Sequence, residues 1–127
     1  MIHHETMFEH LTKDRILEVI ADDYGEDFIE RDRIGLGLRI TASLRMVINR
    51  GVEFFDNYHI KSSDDNSQRT KDMRREMKRE WKQSTSKRER REIRSMVSDI
   101  THTERKRIAV FQAIHKILAT DSSKTSN

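Results

Sequence analysis

The chain has 127 residues, 37% of them charged and 34% hydrophobic, and a formal net charge of +3. That length suits one hydrophobic core, and the small apolar share makes an oligomer with pooled core surface an open expectation. Cysteine is absent, which excludes disulfides, thiolate nucleophiles and cysteine-based zinc sites and fits a reducing compartment.

Proline is also absent, and glycine occurs only at Gly25, Gly35, Gly37 and Gly51. The punctuation of hairpins and sandwiches is therefore missing. The expected fold is all-α, a small compact domain of about four to five helices over residues 1–120, followed by a disordered tail at 121–127. No apolar run approaches the roughly 20 residues a membrane-spanning helix needs, and the first ten residues carry no secretory pattern. A cytoplasmic location without a membrane span is expected.

The net charge conceals a polarity. Residues 1–68 hold 8 Lys and Arg against 14 Asp and Glu, a net of −6. Residues 69–94 hold 12 against 5, or +7, and residues 95–127 hold 5 against 3, or +2. An acidic half (1–68) thus precedes a basic half (69–120).

In chain order, Thr12 is a good N-cap, and Ile16, Leu17, Val19, Ile20 and Tyr24 follow at helical spacing until Gly25 stops the helix. Thr6 begins an earlier stretch with capping-box spacing. Between 27 and 59 two patterns compete. Ile34, Leu36, Leu38, Ile40, Ala42, Leu44, Met46 and Ile48 alternate as in a strand, but Leu36, Ile40, Leu44, Val47, Ile48, Phe54, Phe55 and Tyr58 also gather on one helical arc. Strand partners are lacking elsewhere, so a long helix is expected, with Gly35 and Gly37 marking a break.

The polar run KSSDDNSQ at 61–68 predicts a loop and hinge. A strongly basic helix is expected at 70–83, an interruption at 84–86 with Ser86 as cap, and a helix at 87–100 carrying Ile93, Met96, Val97 and Ile100 on one side. A second break is expected at 101–103, then a final helix from 104 to 119. There Ile108, Val110, Phe111, Ile114, Ile117 and Leu118 cover more than half the circumference, which predicts a loss of about 3 to 5 kcal/mol for Phe111→Ala.

Three constellations bear on chemistry. His3, His4 and His10 with Glu5 and Glu9 are metal-ligand types without the spacing that puts two ligands on one helical face, and they read as surface residues. The acids Asp22, Asp23, Glu26, Asp27, Glu30 and Asp32 lack the regular spacing of a calcium loop and read as a solvated helix junction or a docking surface. His115 reads as a hydrogen-bonded core or interface histidine, and His59 and His102 as loop residues. No nucleophile elbow, placed Ser-His-Asp set or dinucleotide fingerprint is present. A non-enzymatic protein with no catalytic residues, cofactor or metal is expected.

The third constellation is basic: Arg74, Arg75, Lys78, Arg79 and Lys82, then Lys87, Arg88, Arg90, Arg91 and Arg94, then Arg105, Lys106 and Arg107. Cations held on helices attract phosphate backbones through counterion release. The last three stand at the expected start of the final helix, where cations are disfavoured unless something anionic is met. The leading expectation is a nucleic-acid-associated or regulatory protein, for DNA or RNA, that contacts phosphates more than bases. The acidic N-terminal helices are expected to supply the core and an oligomer or partner surface, and the competing expectation is a helical adaptor or inhibitor that binds a protein partner through the stripe Met73, Met77 and Trp81.

Overall fold

The structure is a computed structural model that describes residues 8–125, with side chains described over 8–120. Among the described residues there are five helices and no strand: α1 Lys13–Tyr24, α2 Glu26–Arg31, α3 Arg33–Arg50, α4 Val52–Gln83 and α5 Lys87–Thr125. The all-α expectation holds, and the contested segment around Ile34 to Ile48 is helix. None of the described helices is long and apolar enough to cross a membrane. The Thr6 stretch and His3, His4 and Glu5 lie outside the described residues, as do Ser126 and Asn127.

The chain forms two compact units. One combines the residues up to Asp56 with those from Lys106 onward, and the other is Asn57–Arg105. The first is organised around the short helices. Thr12 caps α1 as expected, its hydroxyl accepting from the Arg15 N–H at 3.2 Å. Gly25 ends it at φ 91°, a conformation side chains rarely adopt, and its N–H donates to the Ala21 carbonyl at 2.8 Å.

Asp32, not Gly35 or Gly37, makes the break before α3. Its Oδ1 accepts from the Gly35 N–H at 3.1 Å, an N-cap that satisfies an exposed helix amide. The carboxylate folds so closely over the helix that a Cβ at position 35 would lie 2.2 Å from Asp32 Oδ2. Gly35 thus leaves room for the Asp32 cap inside a continuous helix.

The core of this unit draws on every helix. Ile16 and Ile20 of α1, Leu36, Ile40 and Val47 of α3, Phe55 of α4 and Val110 and Ile114 of α5 are all at most 2% exposed, with Phe28 and Ile29 of α2 beside them. Polar ties surround it. Tyr24 donates to Gln112 at 3.0 Å, Lys116 meets Asp23 at 2.5 Å, and His115 meets Asp56 at 2.6 Å while packing on Phe111 at 4.6 Å between ring centroids. His115 is therefore the hydrogen-bonded core-edge histidine the sequence suggests.

Two expected breaks are absent. α4 runs through 61–68, because that segment contains neither glycine nor proline, and Ser, Asp and Asn each cost a helix only a fraction of a kcal/mol. Ser62, Ser63 and Asn66 are half-buried there, and Gln68 donates to Asp72 one turn on at 3.1 Å. α5 likewise runs through 101–103. Thr101 donates its hydroxyl to the Val97 carbonyl at 3.0 Å, which satisfies the side chain inside the helix instead of making it a cap. In consequence His59 and His102 are helical residues rather than loop residues, and His102 is buried.

The continuity of α5 also relocates Arg105, Lys106 and Arg107. They lie mid-helix, not at a helix N-terminus, so the argument from an unfavourable dipole does not apply to them. Lys106 and Arg107 are each 7% exposed, and Lys106 Nζ reaches Asp32 Oδ2 at 2.5 Å. Asp32 therefore serves two purposes, as N-cap and as counter-ion. Asp32→Ala removes both, leaving an enclosed ammonium without that carboxylate. The expected loss is about 2 to 4 kcal/mol, below the full cost of breaking a buried pair because the Asp32 side chain is 42% exposed. Lys106→Met keeps the apolar stem and is expected to cost less than about 1 kcal/mol. Equal shifts of the two urea midpoints would refute this asymmetry.

Candidate nucleic-acid interface

The unit Asn57–Arg105 is a helical hairpin made by the larger part of α4, the turn at 84–86 and the first part of α5. Ser86 caps α5 as expected, its hydroxyl accepting from the N–H groups of Arg88 and Glu89 at 3.2 and 3.4 Å. Ser84 is 8% exposed and donates to Glu89 at 2.9 Å, while Arg90 donates to the Ser84 carbonyl at 3.1 Å. The turn is held by side chains from both directions. It needs no glycine.

Met77 and Ile93, 6% and 9% exposed, form the seam between the two helices. To one side of the seam lies Trp81, with the guanidinium groups of Arg90 and Arg94 at 5.4 and 5.3 Å from its ring, each within cation–π range. Arg74, two turns before Trp81, donates to Thr101 at 2.9 Å on the same side. Helical spacing adds Lys78, one turn from both Arg74 and Trp81, and Lys87, two turns from Arg94. All of these cations are exposed.

The other side is acidic. Glu80, Glu89 and Glu92 surround a concavity of about 370 Å³ with Ile93 and Met96. Glu76 lies one turn from Glu80 and takes Arg79 at 3.6 Å, and Glu92 takes Arg88 at 3.6 Å. Arg79 and Arg88 therefore belong to the acidic flank and are partly neutralised there. Arg75 and Lys82 are exposed along the outside of α4. The thirteen cations of the sequence reading thus divide. Arg74, Lys78, Lys87, Arg90 and Arg94 share one face, Arg75, Lys82 and Arg91 are on the outside of the helices, Arg79 and Arg88 sit with acids, Arg105 is exposed at the end of this unit, and Lys106 and Arg107 are packed into the other unit.

Met77 is buried in the seam, Trp81 is half-buried beneath two arginines, and Met73 is 38% exposed. Of the acidic run, Asp23 and Asp32 are bound to lysines and Glu30 pairs with Arg33. Glu9 and His10 are exposed in a turn before α1. Comparison with known protein families, curated proteins and solved structures finds no match to this chain.

Proposed function

We propose that this chain is a non-enzymatic nucleic-acid-associated protein that contacts phosphate backbones through the Trp81 face of its helical hairpin, in the cytoplasm. The observation that supports the reading is the segregation of charge across the seam: five exposed cations on one side, with Glu76, Glu80, Glu89 and Glu92 on the other. A mixed, salt-bridged surface would present little net field, whereas a one-signed face attracts a polyanion and orients it. Arginine recurs in that set, and its planar fork suits phosphate oxygens. Because two guanidinium groups already cover the Trp81 ring, the site favours phosphate contact over base stacking, and low sequence specificity follows.

The test is fluorescence anisotropy with labelled single- and double-stranded DNA and RNA at about 50 and about 200 mM salt. With about five phosphate contacts, affinity should fall by roughly 500-fold over that range. Absence of binding to all four probes would reject the reading.

A further inference from the structure

The helix α3 has two apolar faces, and only one of them is used within its own unit. Leu36, Ile40 and Val47 are fully buried, whereas Ile34 is 80% exposed, Leu38 69% and Ile48 56%. At the helical angle per residue, Ile34, Leu38, Arg45 and Ile48 share an arc of about 80°, with exposed Ala42 at its edge. A chain with a 34% hydrophobic share has few aliphatic side chains to leave in water, and three on one arc, with Thr41 and Arg45 between Leu38 and Ile48, mark an interaction surface.

Charge indicates what covers this row. Residues 33–50 contain Arg33, Arg39, Arg45 and Arg50 and no Asp or Glu. Arg33 is engaged by Glu30, and Arg50 lies over the Phe54 ring at 4.1 Å. Arg45 is exposed in the middle of the aliphatic row, with no ion pair among the described residues. A second copy packed antiparallel through the same helix would set Ile34 beside Ile48 and leave Arg45 without a carboxylate from that helix. A lipid surface would have to accommodate Arg45 amid the inserted aliphatic groups.

We propose that the outward face of α3 docks an acidic amphipathic helix of another protein, whose aliphatic anchors lie on Ile34, Leu38 and Ile48 and whose carboxylate pairs with Arg45. The mode is a helix laid along an apolar row, with charge selecting the partner. This surface is independent of the basic hairpin face.

Two labelled helical peptides of about 18 residues serve as probes, with identical leucine spacing and either glutamate or lysine at the polar positions. The glutamate peptide should bind at least about tenfold more tightly than the lysine peptide. Ile34→Ser with Leu38→Ser should weaken it at least about tenfold without lowering the melting temperature, since both side chains are exposed. Arg45→Glu should invert the preference. Lys78→Glu with Arg94→Glu should leave it unchanged, which separates this surface from the hairpin face. Equal binding of the two peptides, or glutamate-peptide affinity that survives the serine variant, would overturn the proposal. So would a sedimenting dimer abolished by the same variant, since a second copy would then cover the face.

Discussion

Lys78→Glu combined with Arg94→Glu is expected to lower nucleic-acid affinity by about 30- to 100-fold at about 50 mM salt and to reduce the slope of log K against log salt by about two. The matched control is Arg79→Glu with Arg88→Glu. Both pairs take the formal net charge from +3 to −1. A long-range effect of net charge alone would therefore weaken both equally. The two pairs differ in position: Lys78 and Arg94 flank Trp81 on the one-signed face, whereas Arg79 and Arg88 already lie 3.6 Å from Glu76 and Glu92. The control pair should lose no more than about threefold, because cations held by neighbouring carboxylates release fewer counterions. Equal losses would assign the binding to net charge and reject a defined face. All four side chains are exposed, so the urea midpoints should stay within about 0.5 kcal/mol of the parent.

What made that face invisible along the chain is that helical spacing orders residues on one helix at a time. The separation of bases from acids needs the register of α4 against α5, in which Trp81 meets Arg90 and Arg94 while Arg74 meets Thr101. The basic composition of 69–94 was plain to read, and so was the Ser86 cap. The pairing was not, because the apolar side chains buried in this unit, Met77 and Ile93, form no repeated pattern along the chain.

Helix boundaries show the same limit from another side. Thr12 and Gly25 were legible because a cap and a positive-φ stop are local devices. The breaks expected at 61–68 and 101–103 rested on polar composition, and polar residues without glycine or proline weaken a helix without ending it. Thr101 shows how, by turning its hydroxyl back to Val97. In the sequence Asp32 is one acid among six. Its cap on Gly35 is local, but that it also receives Lys106 depends on a contact across 74 positions, which no spacing rule supplies.

The largest expected loss of stability belongs to Phe55→Ala, at about 3 to 5 kcal/mol by urea denaturation. The sequence places that cost on Phe111, since the final helix is apolar over more than half its circumference. In the structure Phe55 is 2% exposed and lies within the cluster that includes Ile16, Leu36 and Ile114, whereas Phe111 is half-buried at its edge. The two rings stack at 5.5 Å, so each variant loses the same aromatic contact, and the difference between them isolates burial. Phe111→Ala opens towards solvent, which can refill the space, and should cost about 1 to 3 kcal/mol. Against a total of about 5 to 15 kcal/mol for a domain of this size, Phe55→Ala alone removes a large share of the stability. A midpoint shift for Phe111→Ala equal to or larger than that for Phe55→Ala would mean that α5 seats its aromatic face more deeply than these exposures allow.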